Sequence, residues 1–258
     1  MPDGSATGIG VSVKRKEDYR FLVGEGNYTD DINRPNQTYS YMFRSNIAHA
    51  NFKIDVKEAS NAKGVVKIFV GTDMAAGKMT AGLELYRWAQ DQKINIGFVA
   101  TGQIGITLTG QGIPLDAFKV DLACGAVEEA VLSHGEKEWI IVEGQGSLLH
   151  PGSTATLPLM RGSCPTHLIL CHRAEKTHLK FPEHIKIPSL KEFIHLNEQL
   201  VTVCGTYPGA KVAGIALNTS ALSEAEALQM IEKIERETGC PTTDVVRYGC
   251  DKIGQALQ

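Results

Sequence analysis

Two kinds of hydrophobic pattern alternate along the chain from residue 64 onward. Short apolar runs rich in Val and Ile are typical of buried strands, and stretches with apolar residues three or four positions apart are typical of amphipathic helices. The runs predict strands at 65–70, 94–100, 139–142, 167–171 and 212–217. The periodic stretches predict helices at 78–92, 120–132, 189–203 and 223–239.

Two capping boxes mark the beginnings of the last two predicted helices. Ser189 is followed three positions later by Glu192, and Ser223 by Glu226, so each pair can satisfy free amides at a helix N-terminus. Gly239 is suited to end the last helix, because glycine adopts the left-handed conformation without strain. Strands that alternate with helices predict an α/β fold with a mostly parallel sheet flanked by helices. Such sheets bind ligands beyond the carboxyl ends of their strands.

Residues 1–63 follow neither pattern. Aromatic and polar residues mix there with little period, and turns are expected around Gly24, Gly26 and Pro35. The sequence therefore predicts a short β-rich or irregular N-terminal segment, 1–63, in front of an α/β domain, 64–258.

Composition narrows the class of protein. Of the 258 residues, 43% are hydrophobic and 21% charged, as in globular domains, and the net charge of −3 offers no basic field to nucleic acid or anionic lipid. The sequence shows no apolar run of a length that spans a bilayer, no secretory leader and no CxxC pair among its six cysteines. We therefore expect a cytoplasmic protein with reduced thiols and a small-molecule partner, without nucleic-acid or membrane partners. The oligomeric state stays open, homo-oligomers included.

The strongest chemical signal is the stretch VKIFVGTDMAAGKMT, in which a strand runs through Gly71 to Gly77, Lys78 and a helix. Glycines let backbone amides turn toward an anion, the helix N-terminus adds a positive dipole, and the lysine adds a charge. Five residues separate the glycines instead of the usual four, and Met79 displaces the hydroxyl of Thr80 by one place. The alternative is an ordinary glycine-rich turn with a surface lysine. We expect cofactor phosphates to contact Gly71, Thr72, Asp73, Gly77, Lys78, Met79 and Thr80.

A second signal follows the strand at 139–142, in the stretch WIIVEGQGSLLHPG. Glu143 at the strand's carboxyl end can hold Mg²⁺ through water, together with the hydroxyl of Thr80, or accept a proton. The alternative is a strand-end turn whose glutamate caps the next segment. His150 is a second candidate catalytic group, although a lone histidine is more often structural.

Other polar residues follow neighbouring strands. Thr101 and Gln103 can reach the same crevice, unless that loop merely needs its glycines. Asn218 can recognise the edge of an adenine base or instead cap a helix. Gln145 and Arg161 complete the candidate substrate-binding residues.

These motifs resemble a known family. The stretches GTD-x₃-GKMT, FVATGQ-x-GI, VEGQGSLLHP, LILCH, GIALNT and PTTDVVR match the DgcN-like family over about 64–258. The resemblance implies a P-loop NTPase-like domain and D-glutamate N-acetyltransferase activity with acetyl-CoA as donor. The more distant similarity to dethiobiotin synthetase, a P-loop ligase that uses ATP and Mg²⁺, implies phosphate roles for 71–80, a metal-side role for Glu143 and base recognition by Asn218.

Residues 8–56 resemble something different, the opening of the molybdenum-binding large subunit of carbon monoxide dehydrogenase and aldehyde oxidase relatives. None of that subunit's cofactor-binding or catalytic stretches follows, which argues against a molybdenum hydroxylase. The resemblance implies that 1–63 is a truncated hydroxylase-like segment fused to the P-loop domain near 60–64, where DgcN-like proteins carry another α/β domain.

Three functions remain open from the sequence. The first is an N-acetyltransferase that uses acetyl-CoA and an acidic D-amino acid, with Glu143 or His150 as base. The second is an ATP- and Mg²⁺-dependent ligase or kinase, in which Lys78, Thr80 and Glu143 position a phosphate. The third is an inactive nucleotide-binding fusion.

Overall fold

The computed structural model describes residues 65–207 and 209–258. The predictions for 1–63, including the boundary at residue 64, lie outside the described residues and stay predictions. No helix within the described ranges combines the length and apolar character needed to cross a bilayer.

The described chain alternates strands and helices, as the hydrophobic pattern predicts. The strands are β1 (Val65–Gly71), β2 (Ile96–Val99), β3 (Trp139–Val142), β4 (His167–Arg173), β5 (Lys211–Asn218) and β6 (Thr242–Thr243). The helices are α1 (Lys78–Asp91), α2 (Gln103–Thr109), α3 (Val120–Leu132), α4 (Thr156–Ser163), α5 (Leu190–Thr202), α6 (Glu224–Thr238) and α7 (Asp251–Gln255). A short 3₁₀ turn, Leu115–Ala117, precedes α3.

The strands form one six-stranded sheet in the order β2-β3-β1-β4-β5-β6, and every paired neighbour is parallel. The predicted α/β fold is therefore confirmed. The strands β2 and β3 lie on one side of β1 in the sheet, and β4, β5 and β6 lie on the other. The direction in which successive strands are added therefore reverses beside the carboxyl end of β1. Ligands of parallel α/β sheets bind at such a reversal.

Both faces of the sheet are covered. Ile68 and Val70 contribute to one apolar cluster and Phe69 to the other, because successive side chains of a strand point to opposite faces. All residues of β2 and β3 are buried, as expected for a parallel sheet between helix layers.

The predicted helix ends are confirmed at α5 and α6. Ser189 and Ser223 are the N-caps, and each exchanges hydrogen bonds with the glutamate three positions later. Gly239 ends α6 with a φ of 74°. The structure corrects the hydrophobic pattern elsewhere, because β2 is shorter than 94–100, β4 extends to Arg173, and α2, α4, α7 and β6 were not predicted.

Candidate active site

Lys78, the first residue of α1, folds its side chain back over the loop between β1 and α1. The Nζ of Lys78 donates to the carbonyl oxygen of Asp73 at 2.9 Å and to that of Met74 at 3.1 Å. A Cβ on Gly71 would lie 2.9 Å from the same nitrogen, so only glycine leaves the lysine room to fold back. Gly77 caps α1 with a φ of 100°, in the left-handed region that glycine tolerates best. The ammonium group is thereby held over the centre of the loop.

The electrostatics of this loop suit an anion. Lys78 is buried, and burial lowers its pKa, while nearby Cys171, Asp73 and Glu143 oppose that shift. No side chain caps the N-terminus of α1. The backbone amides of its first turn therefore have neither a side-chain acceptor nor a carbonyl acceptor within the helix. A buried cation beside uncapped helix amides fits a phosphate group.

Two predicted loop residues tie the loop to its surroundings. The hydroxyl of Thr72 is buried and lies 2.9 Å from the Nδ1 of His172 on β4. The carboxylate of Asp73 accepts the amide of Met74 at 2.7 Å through one oxygen and the amide of Lys180 at 2.8 Å through the other. These side chains are occupied, so contacts of 72–73 with a phosphate would come from the backbone.

Glu143 at the end of β3 holds the turn that leads into α2. Its Oε2 accepts the amides of Thr101 at 3.0 Å and Gly102 at 3.2 Å. A Cβ on Gly105 would lie 2.1 Å from the same oxygen, so the helix can approach only because it carries glycine there. Burial raises the pKa of Glu143, while these two hydrogen bonds and the charge of Lys78 act in the opposite direction. Glu143 is therefore a fixed, buried carboxylate.

A central cleft of about 540 Å³ lies between this turn and the β1–α1 loop. The predicted site residues that line it are Gly77, Lys78, Met79, Thr80, Gln103, Glu143 and Gln145. Both residues of the predicted metal side, Thr80 and Glu143, are among them. Within 65–207 and 209–258, no cluster of three or more His, Cys, Asp or Glu residues is placed to hold a metal ion.

A smaller cavity of about 280 Å³, the β5-side cavity, lies on the other side of the loop. Asn218 lines it, and its side-chain oxygen accepts the amide of Ser220 at 3.0 Å. Gly77 and Thr80 line both spaces, so one ligand can lie across the loop.

Asp244 is a further candidate residue, which lines the β5-side cavity and was not predicted from the sequence. It is buried and accepts the amides of Thr219 at 2.9 Å, Val246 at 3.0 Å and Arg247 at 3.2 Å. Arg247 in turn donates to the carbonyl oxygen of Leu222 at 2.7 Å. The aspartate thus shapes the wall of the β5-side cavity. It belongs to the stretch PTTDVVR, which was the available signal.

Other predicted residues lie away from the cleft or behind its surface. His150 lines neither the central cleft nor the β5-side cavity, and its Nδ1 accepts the amide of Gly152 at 3.1 Å. The guanidinium of Arg161 on α4 lies 5.6 Å from the ring centroid of Tyr207. Thr101 is buried behind Glu143, where its hydroxyl donates to the backbone carbonyl of Glu143 at 2.7 Å.

Known proteins are similar to this chain in sequence and in fold. The family described as "Domain of unknown function (DUF1611_C) P-loop domain" matches residues 53–254. A D-glutamate N-acetyltransferase of Pseudoalteromonas sp. is 35% identical over 208 residues, which are 80% of this chain and 62% of that protein. A crystal structure of a DUF1611 family protein from Anabaena variabilis is similar with a TM-score of 0.77 and 47% identity, over 81% of this chain and 61% of the other. The chain spans about three fifths of the length of the curated acetyltransferases it matches.

Two further similarities complete the comparison. The carbon monoxide dehydrogenase large chain of Afipia carboxidovorans is 40% identical over 68 residues, 26% of this chain and 8% of that protein. A nucleotide-binding protein from Archaeoglobus fulgidus, in complex with ADP, shares the fold with a TM-score of 0.50 and 13% identity, over 80% of this chain and 93% of the other. These matches confirm the predicted resemblance to the acetyltransferase family and the predicted resemblance to the hydroxylase large subunit. They also confirm the P-loop NTPase-like fold.

Proposed function

The chain belongs to the DUF1611 family of P-loop domains, and from that premise we propose that it transfers the acetyl group of acetyl-CoA to the amine of D-glutamate or a similar acidic D-amino acid. The names of its curated relatives support this substrate class. The observation that carries the proposal is a buried lysine, folded back over the β1–α1 loop, that lines one cleft together with a buried carboxylate.

The two ends of the cofactor have matching features in the protein. The amides at the start of α1 and the ammonium of Lys78 would bind the diphosphate of coenzyme A. The β5-side cavity, with Asn218 in its wall, would receive the adenine. This arrangement directs the thioester toward Glu143, because the central cleft continues from the loop on that side.

The transfer forms a bond from the acceptor nitrogen to the acetyl carbon and breaks the bond from that carbon to sulfur. The amine must lose a proton, and the thiolate of coenzyme A leaves. Glu143 would accept that proton, because burial raises its pKa toward the range of a working base. Lys78 would stabilise negative charge in the cleft.

A second candidate function, an ATP-dependent ligase or kinase, is favoured by one observation. Thr80 and Glu143 line the same cleft as Lys78, where a hydroxyl and a carboxylate could hold Mg²⁺ through water beside a nucleotide phosphate. Small molecules remain the proposed partners under either function.

Two measurements separate these functions. Acetyl-CoA should raise the melting temperature of the full chain in a concentration-dependent way, and more than ATP with Mg²⁺ does. Mass spectrometry should then detect N-acetylglutamate formed from D-glutamate and acetyl-CoA. Stabilisation by ATP with Mg²⁺ alone, without acetylated product, would contradict the acetyltransferase and favour the ligase.

The role of Glu143 is tested by Glu143→Gln, which keeps the shape of the side chain but removes its charge and basicity. Turnover should fall about a hundredfold or more, with acetyl-CoA affinity changed by no more than about twofold. Glu232→Gln removes the same charge from an exposed position on α6 and serves as the control. A near-normal rate for Glu143→Gln would show that this carboxylate only supports α2.

A further inference from the structure

A third cavity adjoins the central cleft. This α3-side cavity has a volume of about 450 Å³ and lies between the beginning of α3, the segment after β3 and the beginning of α4. Met74, Asp116, Gln145 and Gly146 line both it and the central cleft, so the two spaces adjoin. Its volume is within the usual range for small-molecule sites.

The wall of the α3-side cavity is largely uncharged. Its apolar lining residues include Leu115, Phe118, Val120, Ala123 and Pro158. Its neutral polar groups are those of Gln145, Ser153 and Thr154. Among the described residues that line the cavity, Asp116 is the only one with a charge, and none is Lys, Arg or His.

This chemistry discriminates between the two proposed substrates. An acidic amino acid brings two carboxylates, and burying them beside Asp116 without a cation would be costly. The pantetheine arm of coenzyme A is an uncharged chain with two amides and a branched apolar segment. Apolar walls that face a few neutral hydrogen-bonding groups match such a chain.

The position of the α3-side cavity beside the β1–α1 loop also favours the pantetheine arm. The arm begins at the diphosphate, which the β1–α1 loop would hold, and Met74 of that loop is also part of the cavity wall. Ser153 is fixed in the cavity wall, because its hydroxyl accepts the amide of Ser147 at 3.0 Å. The cavity thus adjoins both the phosphate-binding loop and the cleft that Glu143 lines.

We propose that the α3-side cavity binds the pantetheine arm of coenzyme A, with the thioester end at the boundary that Gln145 shares with the central cleft, and that the acidic acceptor approaches Glu143 from the open cleft. The proposal rests on the proposed function, since it takes coenzyme A as the cofactor. The proposal assigns Val120, Thr154 and their neighbours to cofactor binding. The sequence motifs did not predict this role for them.

Thr154→Trp tests the proposal, because Thr154 is exposed at the cavity wall and a tryptophan there would fill the space. Calorimetry would compare the binding of coenzyme A with that of adenosine 3′,5′-bisphosphate, which lacks the arm. The variant should weaken coenzyme A about tenfold or more and change the bisphosphate by no more than about twofold. Leu228→Trp adds a tryptophan at an exposed position on α6 and should change neither affinity.

Val120→Trp provides an independent obstruction from the apolar wall, since Val120 is 59% exposed. If both folded variants bind coenzyme A as the wild type does, or lose both ligands equally, the arm does not occupy this cavity. A raised KM for the acceptor with unchanged coenzyme A affinity would assign the cavity to the amino acid. Wild-type protein that binds neither coenzyme A nor the bisphosphate would contradict the proposed function itself, a result distinct from those outcomes.

Discussion

Lys67 in the central strand β1 provides a quantitative test of the structure. Its side chain is 0% exposed, and its ammonium nitrogen lies 3.5 Å from the ring centroid of Trp139. Among the described residues it has no hydrogen-bond partner. Burial lowers the pKa of Lys67 to about 7, and the charge of Lys67 contributes, after burial, to a lowered pKa of neighbouring His167. This lysine should therefore cost stability at neutral pH.

The magnitude follows from the two pKa values. An unfolded lysine titrates at 10.5 and the folded one at about 7, a difference worth up to about 5 kcal/mol at about 1.4 kcal/mol per unit. Between these values the unfolded chain keeps its proton and the folded chain has lost it. The free energy of unfolding should therefore rise with pH by up to about 1.4 kcal/mol per unit above pH 7, and this contribution should be flat below.

Lys67→Met keeps the length and apolar stem of the side chain and removes the ionisable group. The variant should be more stable than the wild type at pH 7, by up to about 5 kcal/mol, and this gain should shrink to about 2 kcal/mol at pH 9. Urea unfolding at several pH values between 6 and 9 gives both free energies. Burial raises the thiol pKa values of Cys171 and Cys250 to about 12, so these thiols lower the free energy of unfolding as pH rises. Both proteins contain them, so their contribution cancels when the free energy of the wild type is subtracted from that of the variant.

Lys233→Met makes the same charge change at an exposed position on α6. It should leave the slope of stability against pH unaltered, because exposed charges interact weakly with the fold. A Lys67→Met gain that is independent of pH between 7 and 9, or a variant that is less stable at every pH, would refute the argument.

Three further substitutions test other parts of the site. Lys78→Ala should weaken binding of acetyl-CoA or ATP by ~1.5–3 kcal/mol, because it removes a charge-assisted phosphate contact; unchanged affinity by calorimetry would contradict the phosphate-binding loop. Gly144→Ala should lower the melting temperature strongly, since the added Cβ would lie 1.5 Å from the backbone oxygen of Phe69; normal thermal unfolding would show that β3 ends differently. Asp244→Ala should lower the free energy of unfolding by about 2–4 kcal/mol, because it leaves buried amides unpaired; a near-wild-type urea midpoint would contradict its anchoring role.

Features encoded in neighbouring residues were predictable from the sequence. The capping boxes at Ser189 and Ser223 place the helix starts of α5 and α6 to the residue. The β1–α1 loop was also predictable, from the order of Gly71, Gly77 and Lys78 after an apolar run. These three residues lie within ten positions of one another in the chain. A local pattern suffices where the interaction it encodes is local.

α2 shows why other elements were missed. Its sequence QIGITLT contains glycine and β-branched residues, which form helices poorly in isolation. The carboxylate of Glu143 accepts amides at the beginning of this helix, 41 and 42 residues earlier in the chain, and a negative charge stabilises a helix N-terminus. The helix therefore depends on the pairing of β2 with β3, which periodicity does not reveal.

The position of β1 explains how the site is assembled. Because β1 lies between β3 and β4, the loop after it is flanked by Glu143 on one side and His172 on the other. The hydroxyl of Thr72 meets His172, and the amide of Thr72 donates to the carbonyl oxygen of Cys171 at 3.2 Å. Burial lowers the pKa of His172 to about 4, so this support stays uncharged at neutral pH. The loop is thus shaped by neighbouring strands before any ligand arrives, which reduces the ordering cost of binding a phosphate.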